Sequence, residues 1–199
     1  VLKFITDFTS KNSQGNYDYK VIQHIKKQIN DTIYRSRSSI DYRIATADFL
    51  WKQQIRKKSY IQAGVKYTYT DMKDNAHYEG LTPAKEWTSI PVYDYSLDYQ
   101  EDIGALYTTY ASDRKQWSFH IGLRVEYTRT TDRSNHLKRR YWDWFPHIDL
   151  SYAFDPVRQW LLIGQYARNI ERPAFSTLNP NRIQTSEYTY QIGNPALHP

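Results

Sequence analysis

The amino-acid sequence predicts an all-β fold, an antiparallel up-and-down transmembrane β-barrel of which about seven strands are present. Three observations support this prediction. Apolar and polar side chains alternate along several segments, these segments are long, and the connections between them are alternately long and short. A strand with a period of two has one apolar and one polar face, and in a membrane barrel these two faces contact lipid and the lumen.

The alternation is clearest in the segment 117–127, WSFHIGLRVEY. Its odd positions are apolar, several of them aromatic, and its even positions are polar or glycine. We expect the apolar face to contact lipid. The segment is also longer than an ordinary strand of about 5–6 residues, and it matches the roughly 9–11 residues that cross a bilayer at a tilt.

The predicted strands are separated by connections of two kinds. The strands are, in order, 1–9, 40–51, 59–71, 96–110, 117–127, 141–154 and 160–170. The long, polar connections are 10–39, 72–95, 131–140 and 171–199. The short turns are 52–58, 111–116 and 155–159. No helix with recognisable capping residues is predicted.

Individual elements have local support. In the third strand the apolar face runs from Ile61 to Tyr69 at odd positions, and in the sixth it runs from Ile148 to Phe154 at even positions. Pro156 favours a turn between the sixth and seventh strands because its ring restricts φ. Outer-membrane barrels have short periplasmic turns and long extracellular loops. The sorted connection lengths therefore favour a barrel over a soluble β-sandwich.

An odd number of strands predicts that these residues belong to a larger barrel. Bacterial single-chain barrels have an even number of strands, and a sheet that ended inside the membrane would leave an unpaired edge. The chain begins at Val1 and lacks the charged and apolar regions of a signal peptide, which we interpret as a cytoplasmic protein or a piece of a longer chain.

The composition excludes several classes of protein. Tyr (19) and Trp (6) are frequent, yet the mean hydropathy is −0.80 and no segment approaches the roughly 18 apolar residues of a spanning helix. The chain has no Cys, and its net charge of +6 is scattered rather than gathered in a basic stripe. We therefore expect neither disulfides nor nucleic-acid binding.

The sequence carries no motif for catalysis. It lacks a nucleophile elbow, paired catalytic carboxylates and a phosphate-binding loop, so we expect no enzymatic activity and no cofactor. The six histidines are dispersed, and we identify no ligand spacing with an acidic partner. A metal site is therefore not expected.

Five tryptophans are candidates for the membrane interface, where Tyr and Trp are enriched. Trp51, Trp117 and Trp160 flank the three short turns and would form the inner aromatic girdle. Trp142 and Trp144 follow a long loop and would belong to the outer girdle, although an aromatic platform for sugars is the alternative.

Two sets of charged residues are candidates for ligand binding. Arg124 and Glu126 share the polar face of the fifth strand, where they would contact a plug or a polar substrate, or would simply pair across strands. Four cations in the loop 131–140 could meet lipopolysaccharide or acidic ligands, or could be solvated: Arg133, Lys138, Arg139 and Arg140.

The last part of the chain carries a series of motifs. GLR-x-E-Y begins at Gly122, a Phe-Pro opens the sixth strand at Phe145, and Tyr-x-R-x-I-x-R-P begins at Tyr166 and ends at Arg172 and Pro173. Two turn-forming motifs follow, Leu-Asn-Pro with Asn179 and Pro180, and Gly-Asn-Pro-x-Leu-x-Pro with Gly193, Asn194 and Pro195. Five motifs in this order resemble the outer-membrane β-barrel family of TonB-dependent receptors that is common in Bacteroidetes, over about residues 40–199.

The resemblance implies a receptor barrel of roughly 22 strands with an N-terminal plug in its lumen. It implies location in the outer membrane, nutrient uptake driven by a TonB-type energising complex, and contact with outer-membrane lipid and lipopolysaccharide. The resemblance is also compatible with a surface lipoprotein as an additional partner. The plug, the energy-coupling segment and the terminal strand are absent from these 199 residues.

Two alternatives remain at this point. One is a soluble all-β carbohydrate-binding module that uses its Tyr and Trp to stack on sugars. The other is a passive, porin-like channel that has no plug. The sequence does not name a transported substrate.

Overall fold

The computed structural model describes residues 1–25, 28–155, 157, 159–173, 175–179, 182–186, 189–194 and 197. Ten strands and one short helix lie in these ranges. The strands are β1 Leu2–Ile25, β2 Gln28–Arg56, β3 Ser59–Leu81, β4 Trp87–Ser89, β5 Tyr95–Arg114, β6 Trp117–Asp132, β7 Leu137–Ala153, β8 Leu161–Ala167, β9 Arg182–Ser186 and β10 Thr189–Ile192. The helix α1 covers Phe175–Leu178.

The main sheet is antiparallel, and apart from the short β4 each of its strands pairs with the next one along the chain. Its order is β1-β2-β3-β5-β6-β7-β8, with the short β4 paired to β3, and β9 and β10 form a separate two-stranded sheet. Among the described strands, β1 and β8 are the two edges of the main sheet. This up-and-down order confirms the predicted fold class.

The two faces of the main sheet differ in chemistry. The face called outward here carries large apolar side chains that are solvent-exposed, among them Phe4 (68%), Leu106 (61%) and Ile121 (43%). The opposite face, called inward here, carries buried polar groups such as Glu126 and Thr128. The sheet is therefore inverted relative to a soluble domain, in which the apolar side chains are the buried ones.

The register keeps the apolar face continuous from strand to strand. Leu106 of β5 pairs with Val65 of β3 and with Val125 of β6, and Val125 pairs with Trp144 of β7. Directly paired residues share a face, so these four apolar side chains form one row across β3, β5, β6 and β7. The odd positions of 117–127 lie on this apolar face, which confirms the alternation predicted for the segment.

Several predicted loops are wrong because the strands continue through them. β1 and β2 extend through most of 10–39, β3 continues to Leu81, and β6 and β7 together cover all of 131–140 except a tight turn. The basic segment 52–58 is likewise mostly strand, because β2 ends at Arg56. These extensions are mostly polar, and their apolar residues do not alternate regularly, so they carry little signal that could reveal a strand.

One close contact inside the sheet depends on a glycine. A Cβ on Gly64 would lie 2.3 Å from the ring of Tyr107 and 2.7 Å from the carbonyl oxygen of Phe49. The missing side chain allows the Tyr107 ring to cross the paired strand, and its hydroxyl donates a hydrogen bond to Asp48 at 2.7 Å. β2, β3 and β5 are joined by this contact on the inward face.

The segment after β8 was predicted as a loop, and it contains α1 and the β9–β10 pair. The described residues include no helix that is long and apolar enough to span a membrane.

Candidate functional site

An ion-pair cluster lies on the inward face of β6. Glu126 accepts a hydrogen bond from Nε of Arg124 and another from Nη2 of Arg172. The Glu126 side chain is only 8% exposed, whereas Arg124 and Arg172 are 34% and 29% exposed. Arg124 and Glu126 were predicted to share the polar face of this strand, and the structure also brings them into direct contact. Arg172 is the partner that only the structure brings to them.

The position of Arg172 follows from the course of the chain after β8. The backbone N–H of Arg168 donates to the carbonyl of Pro146 at 3.1 Å, so the segment still follows β7 beyond the end of the strand. Arg168 lies 3.7 Å from Asp143 and donates to the carbonyl of Trp144 at 2.9 Å. Both arginines of the Tyr-x-R-x-I-x-R-P motif therefore contact groups on β6 and β7.

Burial and hydrogen bonding act in opposite directions on Arg172. Burial lowers the pKa of the guanidinium, but its hydrogen bonds with Glu126 and Tyr141 outweigh burial and leave the pKa raised. The partners of Arg172 therefore favour its charged form. Its Nε is buried and has no hydrogen-bond partner among the described residues.

A small pocket adjoins the cluster. It measures about 40 Å³ and is lined by Leu97, Tyr99, Glu101, Thr130, Asp132, Leu137, Arg139, Tyr141, Arg172, Pro173 and Leu178. Burial raises the pKa of Tyr99, whose hydroxyl donates to Glu101 at 3.4 Å. A space of this size holds one or a few water molecules rather than a sugar or a peptide.

The two turn-forming motifs contact each other. The N–H of Gly193 donates to the carbonyl of Asn179 at 2.7 Å, and the N–H of Asn194 donates to the carbonyl of Thr177 at the same distance. Asn179 is 1% exposed. The predictions made for Pro180 and Pro195 lie outside the described residues, as does His198.

The four cations predicted in one loop are divided between two faces. Arg133 lies in the tight turn between β6 and β7, where it contacts Asp98 at 2.9 Å and Gln100 at 2.6 Å. Arg139 is on the inward face and donates to the carbonyl of Leu197. Lys138 and Arg140 are exposed on the outward face. The prediction of a single basic loop is wrong, because strand alternation separates its members.

The candidate tryptophans lie on the outward face, where the predicted aromatic girdles require them. Trp51 differs from the prediction in its depth along the strand. Trp142 and Trp144 are 63% and 53% exposed, and Trp142 packs against Tyr127 with ring centroids 4.9 Å apart. Trp117 and Trp160 lie beside their turns, but Trp51 pairs with Ala63 several residues before β2 ends. Trp51 therefore lies deeper in the apolar band than a turn-flanking residue.

Two histidines and an aspartate come together on the inward face of β6 and β7. His120, His147 and Asp149 have ligand atoms that lie within 4.8 Å of one another. The prediction that the histidines are dispersed is wrong for this pair. A signal was present in the sequence, since His147 and Asp149 are two positions apart and so share a face of one strand.

Comparison with protein-family models identifies a family with this architecture. The model of the outer membrane protein beta-barrel family matches residues 1–199. The chain belongs to this family. A search of curated proteins finds no match.

Family membership places the chain in the outer membrane and excludes the soluble carbohydrate-binding module. The outward face is consequently the lipid-facing face, and the inward face lines the lumen. The dimensions agree: from Trp117 to Tyr127 the strand β6 rises about 33 Å, which at a tilt of about 40° gives a band about 25 Å tall.

Proposed function

We propose that the chain is part of the barrel of a TonB-dependent receptor, which binds a nutrient outside the cell and admits it through a gated, energised passage. The contact between motif segments carries the proposal. Arg172 of the strand-end motif reaches Glu126 of the GLR-x-E-Y strand, and Gly193 of one turn motif contacts Asn179 of the other. Motifs on which the receptor resemblance rests thus contact one another in pairs.

The inward face supports a role in holding a plug. Arg124, Glu126 and Arg172 are already paired, which leaves them as a charged platform rather than as free ligands. This pairing along β6 and with Arg172 supports a structural role for Arg124 and Glu126 over direct binding of a polar substrate. We propose that a plug domain in the full protein contacts this platform, and that the passage involves no covalent chemistry, no enzyme activity and no cofactor.

Arginines on the outward face support contact with lipopolysaccharide. Arg129 and Arg140 pair directly across β6 and β7, and both are exposed two residues above the Tyr127–Trp142 pair. Like charges directly opposite each other destabilise a sheet. Asp102 of β5, which is also paired with Arg129, supplies one negative charge. We propose that anionic groups of lipopolysaccharide neutralise the remaining positive charge of this pair and of Lys138.

The TonB-type energising complex and a surface lipoprotein remain proposed partners of the full protein. We propose no nucleic-acid partner.

The native polypeptide that carries this chain provides the test. Its intact mass would be measured after purification from outer membranes, and its conductance would be measured in planar bilayers. We expect a mass several times 23.8 kDa and no steady open-channel conductance, because a plug fills the lumen. A polypeptide without an upstream plug, conducting steadily, would contradict the proposal and would support the passive channel.

A further inference from the structure

We propose that His120, His147 and Asp149 form a binding site for a divalent transition-metal ion on the lumen wall. Nε2 of His147 lies 2.7 Å from Oδ2 of Asp149 and 3.3 Å from Nδ1 of His120, and Nδ1 of His120 lies 3.4 Å from the same carboxylate oxygen. Two ring nitrogens and one carboxylate oxygen thus point at a common centre. The proposal rests on this geometry and not on the receptor function.

The separations agree with those of a tetrahedral ion. With metal–ligand bonds of about 2.0–2.1 Å, tetrahedral geometry places neighbouring ligand atoms about 3.3 Å apart. Two of the three separations, 3.3 and 3.4 Å, have this value. The third separation, between Nε2 of His147 and Oδ2 of Asp149, is 2.7 Å, which is a hydrogen-bond distance. A small rotation of the His147 ring would lengthen it.

The backbone holds the three side chains in place. His120 and Asp149 are directly paired across β6 and β7, and His147 precedes Asp149 by two residues on the same face. The residue paired with His147 is Gly122. His147 is therefore diagonal to His120 across the two strands, and the two ring centroids are 5.0 Å apart. Ligands on paired strands are more precisely positioned than ligands on loops.

The donor set selects the class of metal. Imidazole nitrogens suit Zn²⁺, Cu²⁺ and Ni²⁺, whereas Ca²⁺ and Mg²⁺ prefer oxygen ligands. The side chains of His120, His147 and Asp149 are 42%, 43% and 31% exposed, so an ion can enter from the lumen. Three protein ligands leave at least one position for water or for a group from another part of the protein.

A second histidine near carboxylates provides a matched control. Nδ1 of His77 lies 2.8 Å from Asp94, but its contact with Glu79 uses Nε2, at 4.0 Å. The two ring nitrogens point in opposite directions, so His77 and its carboxylates cannot converge on one ion. His77→Gln should leave metal binding unchanged.

The test uses the native polypeptide in detergent, stripped with chelator and titrated with Zn²⁺ in a calorimeter. We expect His147→Gln to lose one equivalent of Zn²⁺ or to weaken it at least tenfold, and His77→Gln to bind as the parent does. With Cu²⁺, electron paramagnetic resonance should report two imidazole nitrogens in the parent and one in the His147→Gln variant.

Heat-modifiable migration in gel electrophoresis would establish that each variant is folded. If His147→Gln does not fold, His120→Gln gives the same comparison, because it removes the other nitrogen. Zn²⁺ binding that is identical in the parent and in a folded His variant, or equally reduced by His77→Gln, would overturn the proposal.

Discussion

Gly193 lies against the backbone of Asn179, and no larger residue fits there. A Cβ at position 193 would lie 2.5 Å from the carbonyl oxygen of Asn179 and 2.6 Å from that of Thr177. Both of these oxygens belong to the backbone, so neither can move aside as the end of a flexible side chain could. The glycine of one turn motif is thus required by its contact with the other motif.

Gly193→Ala should separate the two motifs and destabilise the segment after β8 by about 1–3 kcal/mol. Limited proteolysis of the detergent-solubilised protein would detect faster cleavage in this segment. Gly104→Ala is the matched control, since a Cβ there would meet nothing within 4 Å. Equal cleavage of the two variants would contradict the steric argument.

Thr108 and Thr109 are identical neighbours on opposite faces of β5, and they test the lipid assignment. Thr108 pairs with Leu123 on the outward face, and Thr109 pairs with Gly122 on the inward face. Thr108→Arg should destabilise the barrel by about 2–4 kcal/mol because it places a cation in the hydrocarbon, whereas Thr109→Arg, at the same depth, faces the lumen and should cost much less.

The measurement for this pair is reversible urea unfolding in lipid vesicles. Similar free energies of unfolding for Thr108→Arg and Thr109→Arg would exclude lipid as the environment of the outward face.

The Arg172–Glu126 ion pair should contribute measurably to stability because Glu126 is nearly buried. A double-mutant cycle with Arg172→Gln and Glu126→Gln should give a coupling energy of about 1–3 kcal/mol, reduced from that of a fully buried pair by the exposure of Arg172 and by the remaining partner Arg124. Arg168→Gln, whose Arg168–Asp143 contact is longer at 3.7 Å, should have a smaller effect. A coupling energy near zero would mean that Arg172 and Glu126 stabilise the barrel independently.

The turn between β7 and β8 should weaken in acid. Hydrogen bonds from the backbone N–H groups of Gln159 and Trp160 to the Asp155 carboxylate, at 3.0 and 2.9 Å, lower the pKa of Asp155. A lowered pKa in the folded state means that the stabilisation is complete above the unfolded value of about 3.9 and is lost as the pH falls through the folded value. Denaturation at a series of pH values should show this loss, and Asp155→Asn should abolish that component. An unchanged pH profile in the variant would contradict it.

Arg140→Glu should convert a repulsive cross-strand pair with Arg129 into an ion pair. We expect a small gain in stability in detergent, about 0.2–1 kcal/mol, because the pair is exposed. The same variant should carry less lipopolysaccharide through purification, measured by phosphate or lipid A content. Arg133→Glu is a control, since Arg133 is already paired with Asp98. If Arg140→Glu retains as much lipopolysaccharide as the parent, the proposed neutralisation is wrong.

Prediction from the sequence succeeded where one face of a strand meets lipid and the other meets the polar lumen, because the first face needs apolar side chains and the second needs polar ones. The segment 117–127 alternates because its odd positions meet hydrocarbon, and its faces were assigned correctly. Prediction failed for 131–140, where all side chains except that of Leu137 are polar. The strands β6 and β7 continue there without an alternating signal.

The period of two along the chain determined by itself which side chains share a face, and with it the fold class and the lipid-facing band. The tertiary structure decided which residues on one face are neighbours, because that depends on the register between strands and on the path of the chain after β8. His120 meets His147 through the pairing of β6 with β7, and Arg172 meets Glu126 because the segment beyond β8 returns to the lumen wall. Neither contact is a local property of the sequence, since each joins residues more than twenty positions apart.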